Sequence, residues 1–335
     1  MLVNQSDEWG EPLNAIGVDV GGTKIAAGLV SPQGKLLNEA RYPTANDPEK
    51  LLDSLARAVE EAADDSGDAG DGVEAVCLAV PGLLLASEDK VVFSPNLHAI
   101  EGLPLKSELQ SRTGLTVTVE NDASAAAWGE FVFGAGSEVE NLVFLTLGTG
   151  VGGGVILDGR LLRGSQGAGG ELGHTTLHAT GPRCNCGNRG CFEIMASGLA
   201  IERRARQIAA EKPGSDLARV VTDPRGFSGE QVTELATEED ALALSVMRET
   251  GTWLGIGIAG FVNVFNPEIV AVGGGVAEAG DLILEPARRE VRLRARSPSR
   301  DLAEIKPATL GARSGLLGAA ALARDASGAT VLDAG

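Results

Sequence analysis

Two stretches of the chain repeat one rhythm of apolar and polar positions. Residues 15–37 (AIGVDVGGTKIAAGLVSPQGKLL) and 142–162 (LVFLTLGTGVGGGVILDGRLL) each read as an apolar strand, a Gly/Thr-rich turn, a second apolar strand, a tight turn and a third strand opening on Leu-Leu. Such a unit repeated about one domain length apart predicts two lobes of similar topology. After the first unit, Leu51, Leu52, Leu55, Ala58, Val59 and Ala62 fall at helical spacing and predict an amphipathic helix over 48–63. The nearly unbroken apolar run 73–80, stopped by Pro81-Gly82, predicts a buried strand with Cys77 in the core. A strand over 115–119 leads directly into a helix over 122–131. Further helices are expected at 198–210, 238–247 and 252–265, and a short buried strand at 269–272 runs into Gly273-Gly274-Gly275. This alternation of strands and helices predicts the α/β class. The polar stretch 213–229 reads as a surface insertion, and the small, polar tail from Asp325 is expected to fray.

With 335 residues and 43 % hydrophobic content, the chain has the length of about two globular domains. Its net charge of −18 repels phosphate backbones and anionic lipid headgroups, which argues against nucleic-acid or membrane-surface partners. The acidic crowd across 60–74, with Asp64, Asp65, Asp68 and Asp71 among glycines, reads as a solvated loop. Residues 1–12 hold no Lys or Arg and no apolar block, so they do not read as a secretory leader. The most apolar run, 253–265, is 13 residues long and includes Asn263, too short and too polar to span a bilayer. Four cysteines without an export signal fit a reducing cytoplasm.

The cysteines carry the most specific chemistry. Cys184, Cys186 and Cys191 fall within eight positions, separated by Gly187 and Gly190, which let a short loop fold back on one ion. That spacing reads as a closed, structural zinc clamp whose fourth ligand is His174 or His178. The turn Asp19-Val-Gly21-Gly22-Thr23-Lys24 lacks the Walker A spacing. Even so, its glycines let backbone N–H groups approach phosphate oxygens, and Thr23 adds a hydroxyl. Gly148-Thr149-Gly150 repeats the device, and one such turn per lobe could hold a nucleotide's phosphates. Gly273 to Gly275 fails the dinucleotide pattern, which would need glycine at Glu278, and fits a surface where backbone meets adenosine. Glu120-Asn121-Asp122 sits where a strand hands over to a helix, so Asp122 reads either as a ligand-facing carboxylate or as a helix N-cap. Together with Glu171, His174 and Glu193, these side chains make a set of donors and acceptors suited to a polyhydroxylated ligand.

Taken in order, Asp19-x-Gly-Gly-Thr-Lys24, Glu120-Asn-Asp122-Ala, Leu147-Gly-Thr-Gly-x-Gly-Gly-Gly154, Gly170-Glu-Leu-Gly-His174 and Cys184-x-Cys-Gly-x-x-Gly-Cys191-x-Glu193 resemble the ROK family of bacterial sugar kinases and repressors, over residues 16–324. The resemblance implies a two-lobed actin and hexokinase-like (ribonuclease H-like) fold with ATP and sugar in the cleft between the lobes. The small lobe would be residues 1–125, completed by a C-terminal helix at 315–325, and the large lobe 126–314 would carry the zinc site. Asp122 matches the general base. Gly82, Asn121, Asp122, Glu171, His174 and Glu193 match the sugar-binding set. His174, Cys184, Cys186 and Cys191 match the zinc ligands, so His174 would present one ring nitrogen to zinc and the other to sugar. Asp19, Gly21, Gly22, Thr23, Lys24, Gly148, Thr149, Gly150, Gly274 and Gly275 would meet ATP, with Asp19 organising Mg2+ through water. The implied activity is ATP-dependent phosphorylation of a hexose at the entry to glycolysis. Ser94-Pro95-Asn96-Leu97 and the residues around the cysteines favour glucose over N-acetylmannosamine, fructose or allose. Departures are His98-Ala-Ile100, where many of the family's glucokinases have an aromatic residue, and Phe192, where Trp is frequent. Only 18 residues precede Asp19, too few for the helix-turn-helix module of the repressors. A sensor without catalysis would be expected to lack the base or the turns, and the cysteine cluster favours ATP over polyphosphate as phosphoryl donor. The family's proteins are commonly dimers or tetramers, which implies a homo-oligomer, in the cytoplasm that the cysteines fit.

Overall fold

A computed structural model describes residues 13–64, 73–85 and 90–326. The expectations for 1–12, for Asp65, Asp68 and Asp71, and for the last nine residues of the tail lie outside the described residues. The chain forms two compact units. The first holds the described residues of Met1–Gly134, Arg163–Gly169 and Ala312–Gly335, and the second holds Ala135–Leu162 and Gly170–Gly311.

In the first unit, β1 (Ala15–Val20), β2 (Lys24–Val30), β3 (Leu36–Pro43), β4 (Ala75–Val80) and β7 (Thr116–Asn121) form one sheet, with a small hairpin of β5 (Leu83–Leu85) and β6 (Lys90–Phe93) beside it. The sheet order is β3-β2-β1-β4-β7. The first three strands pair antiparallel, while β4 joins β1, and β7 joins β4, in parallel. Helix Pro48–Ala63 begins where the sequence predicts, because Asp47 accepts the Lys50 N–H at 3.0 Å and Pro48 opens the first turn. It buries Leu51, Leu52, Leu55 and Val59 against the sheet core. The C-terminal helix Ser314–Ala326 crosses close to β1 and to helix Asp122–Phe133. A side chain at Gly17 would strike the Leu316 carbonyl, and one at Gly318 the Ala125 carbonyl. Ser314 Oγ lies 3.1 Å from Glu130 Oε1 at this buried contact.

The second unit repeats the sheet. β8 (Leu142–Leu147), β9 (Val151–Leu157), β10 (Arg160–Leu161), β11 (Ile269–Gly273) and β12 (Glu304–Pro307) run in the order β10-β9-β8-β11-β12, with the same antiparallel and parallel pairings. The chain therefore has the predicted α/β fold, an actin and hexokinase-like arrangement in which each unit carries its own five-stranded sheet and its own hydrophobic core.

Two local expectations change. The helices expected at 238–247 and 252–265 are one helix, Ala241–Phe265. The Arg248-Glu-Thr-Gly-Thr run between them has weak helix propensity, but packing overrides it. Gly251 and Gly255 lie so close to helix Asp281–Arg294 that side chains there would strike the Ile283 and Ala287 carbonyls, and Thr250 Oγ1 bonds the Val246 carbonyl at 3.0 Å. The 213–229 stretch is not all loop, since it contains helix Asp216–Val221 with Leu217 fully buried.

Candidate active site

The β1–β2 turn is closed by a Gly21 N–H bond to the Lys24 carbonyl at 2.9 Å. Thr44 anchors it from below, its hydroxyl donating to the Gly21 carbonyl at 2.7 Å and its N–H to the Thr23 carbonyl at 3.0 Å. Gly22, Thr23 and Lys24 are exposed. A Cβ on Gly22 would sit 3.1 Å from the Asn96 carbonyl oxygen, so the Ser94–Leu97 stretch packs against this turn. Asp19, at the end of β1, faces the open Cα side of Gly315. Burial pushes its carboxyl above the usual 3.8, against the pull of the nearby Lys24 ammonium.

At the far side of the same sheet, β7 ends on Asn121 and helix Asp122–Phe133 begins. The residue that caps this helix is Asn121, whose Oδ1 accepts the Ser124 N–H at 2.9 Å. Asp122 is therefore not needed as the N-cap. Its Oδ1 accepts the Ala123 N–H at 2.8 Å and an amide hydrogen of Asn121 at 3.2 Å. The Asn121 amide also donates to the Gly82 carbonyl at 3.1 Å. Gly82 has φ +113°, and a side chain there would run into the Phe93 carbonyl, so this turn requires glycine. Gly82, Asn121 and Asp122 are thus joined in one hydrogen-bonded group.

Behind this group lies an ion pair that no sequence motif marks. Glu120 is buried, with 6 % of its surface exposed. Its Oε2 accepts the Arg163 Nε–H at 2.7 Å, and its Oε1 accepts the Asn121 N–H at 3.0 Å. Arg163 opens a loop that closes on itself through Gly169 N–H to the Arg163 carbonyl at 2.9 Å. The available signal was Glu120 itself, an acid next to Val119 at the end of a strand, which when buried demands a cation.

In the second unit, the β8–β9 turn Gly148-Thr149-Gly150 is bracketed by the segment that follows the cysteines. Glu193 Oε2 accepts the Val151 N–H at 3.2 Å, and a side chain on Gly150 would collide with that oxygen. Gly274, at φ +85°, lies against the Leu147 backbone, whereas Gly275 is open, with nothing within 4 Å of a Cβ built there.

His174, Cys184, Cys186 and Cys191 converge so that one ligand atom from each lies within 4.8 Å of the other three. Cys186 Sγ is 3.7 Å from Cys191 Sγ, and His174 Nδ1 is 4.0 Å from Cys184 Sγ. Zinc held tetrahedrally at about 2.3 Å from sulfur needs sulfurs about 3.8 Å apart, so the donor set fits the metal. All four cysteines of the chain are free thiols. Burial pushes the Cys184 thiol up to about 12, a cost that a bound cation reverses by favouring the thiolate. His178 is not part of this cluster and instead meets Trp253 edge-on. The other ring nitrogen of His174, Nε2, lies 4.0 Å from Glu171 Oε2, and burial raises the Glu171 carboxyl above its usual value.

The ROK family pattern matches residues 15–326. The glucokinase of Streptomyces coelicolor is 40 % identical over 92 % of this chain and 97 % of its own length. The glucokinase of Thermotoga maritima is 37 % identical over 94 % and 99 %. A ROK family glucokinase from Streptomyces griseus, solved in complex with glucose and AMPPNP, superposes with a TM-score of 0.79 at 39 % identity, covering 93 % of this chain and 99 % of that one. With the family's pattern spanning both units and the family's motifs built into the turns, the strand end and the cysteine cluster, the chain belongs to the ROK family.

Proposed function

We propose that this chain is an ATP-dependent glucokinase, moving the γ-phosphoryl group of ATP to the 6-hydroxyl of glucose with Asp122 as general base. The observation that carries the base is the helix start: Asn121 does the capping, and two N–H donors orient the Asp122 carboxylate at the end of β7. The choice of glucose rests on the glucokinase relatives at 37–40 % identity and on the ligands of the S. griseus enzyme. Phosphoryl transfer asks a protein mainly for positioning and charge stabilisation, and the residues divide along those lines. Gly21 to Lys24 and Gly148 to Gly150 would offer backbone N–H groups to the phosphates, Gly274 and Gly275 a flat surface to adenosine, and Asp19 a carboxylate to hydrated Mg2+.

Gly82, Asn121, Glu171, His174 and Glu193 would hold the sugar hydroxyls. Zinc on His174, Cys184, Cys186 and Cys191 would act structurally, and ligation through Nδ1 leaves His174 Nε2–H as a fixed donor to sugar. The same reading makes the protein a cytoplasmic homo-oligomer, dimer or tetramer, feeding glycolysis, with no nucleic-acid or membrane partner. Among the described residues no helix is long and apolar enough to cross a membrane. A coupled ADP-release assay over glucose, N-acetylmannosamine, fructose and allose tests the assignment. The highest kcat/KM is expected for glucose, and a higher value for another sugar would reassign the substrate while keeping the kinase.

A further inference from the structure

Resting on the zinc and nucleotide roles just proposed, one short helix links the two sites. Helix Phe192–Ala196 takes the metal-ligand residue Cys191 as its N-cap. Its first turn carries Glu193, which holds Val151 N–H at the exit of the Gly148-Thr149-Gly150 turn. Just beyond its last residue, Gly198 N–H donates to the Gly148 carbonyl at 2.8 Å, at the entry of the same turn. Ser197 N–H closes back on the Glu193 carbonyl at 3.1 Å, so both grips belong to one rigid piece. The other Glu193 oxygen lies 3.5 Å from Cys184 Sγ. From the next helix, Gly198–Glu211, the Arg203 guanidinium bonds the Ile194 carbonyl and fixes the piece from a further side.

A phosphate cradle binds well only when its N–H groups already converge before the anion arrives. We propose that Glu193 is a positioning residue for the nucleotide turn, and that zinc occupancy, acting through helix Phe192–Ala196, sets the geometry of that turn. Metal and nucleotide binding are then coupled, although no metal ligand touches the nucleotide. By linkage the coupling is reciprocal, so nucleotide tightens zinc by the factor by which zinc tightens nucleotide. This role is separate from the sugar contact that the family resemblance gives Glu193.

The test measures calorimetric Kd for a non-hydrolysable ATP analogue with Mg2+ and no sugar, on the zinc-loaded full chain, on Glu193→Gln and Glu193→Ala, and on chelated protein. Both substitutions remove the charge, but only glutamine keeps an acceptor for Val151 N–H. Glu193→Ala is therefore expected to bind the analogue about five- to tenfold more weakly than Glu193→Gln, the range set by one hydrogen bond. Chelation is expected to weaken the analogue at least as much and to raise amide exchange across 148–151, with zinc restoring both. Should chelation unfold the chain, the two Glu193 variants, which retain all four metal ligands, decide the positioning role, and the coupling is decided on the folded holoprotein by whether saturating analogue slows zinc loss to a chelator, an unchanged rate overturning it. Equal analogue affinity in the two variants overturns the proposal, whatever happens to sugar binding. Failure of the zinc-loaded parent to bind the analogue at all, with glucose still bound, overturns the kinase reading instead.

Discussion

Asp122→Asn separates chemistry from architecture because the structure assigns helix capping to its neighbour. The Asn121 bond to Ser124 N–H at 2.9 Å does not involve the Asp122 carboxylate. An asparagine Oδ1 at 122 can still accept from Ala123 N–H and from the Asn121 amide, the two donors 2.8 and 3.2 Å away in the parent. The variant loses a negative charge in the first helical turn, a cost of about 0.3–1 kcal/mol in stability. With Asp122 as the proposed base, the variant should also lose the ability to take the proton from the sugar hydroxyl, which costs about two to four decades in kcat, or ~3–5 kcal/mol of transition-state stabilisation. Stability and turnover should thus move by amounts several-fold apart. Steady-state kinetics, glucose Kd by calorimetry and thermal melting on this one variant give the three numbers. Expected are a Tm within a few degrees of the parent, a similar glucose Kd and a collapsed kcat. Turnover within tenfold of the parent would refute Asp122 as the base, and a collapse of Tm together with kcat would show that the carboxylate is structural.

Zinc, at about one ion per chain, should appear in elemental analysis of protein purified without added metal, and Cys184→Ser should lose folding and sugar affinity together. A fully folded and active metal-free protein would contradict this. Asp19→Asn removes a carboxylate whose pKa is raised above 3.8 by burial. A raised carboxyl pKa stabilises the fold most below 3.8, and that contribution is lost as pH rises through the folded value. The variant's Tm should therefore gain on the parent's between pH 4 and pH 7 while kcat falls through weaker Mg2+ placement. An unchanged Tm difference across that range would exclude the burial cost. Arg163→Ala leaves the buried Glu120 carboxylate without its cation and should cost about 1–3 kcal/mol in urea unfolding, recovered in part by adding Glu120→Gln. Strict additivity of the two changes would mean that the pair carries no coupling.

Much of the fold was legible because each signal was local. The doubled strand and turn rhythm of 15–37 and 142–162 became two sheets with one strand order, since alternation and turn residues act over a few positions. Helix Pro48–Ala63 was legible from its apolar spacing and its boundary proline. What failed was decided at a distance. The single helix Ala241–Phe265 owes its continuity to glycines that admit helix Asp281–Arg294, a neighbour that the local pattern did not reveal behind its charges and Pro286. Arg163 was invisible for the same reason, being 43 positions from the carboxylate it meets.

The candidate site divides along the same line. Cysteine spacing alone pointed to the candidate metal cluster, because a chelate needs its ligands close in sequence or held by a tight loop. Which histidine completes it came only from resemblance, and the convergence of His174 with the three sulfurs supplies a geometric reason: His178 is held by Trp253 and by its own carbonyl's bond to Gly181 N–H at 2.8 Å. The glycine turn at 148–150 looked self-sufficient in the sequence. In the fold, a side chain at Gly150 would meet the Glu193 carboxylate, 43 positions on, which occupies that space. A residue larger than glycine at 150 would displace Glu193 from Val151 N–H and from its place beside Cys184, so one substitution in the turn would disturb the metal loop as well as the cradle. The space beside this turn at position 150 is therefore taken by the acid that grips it, and a side chain there would cost the grip rather than the turn's backbone.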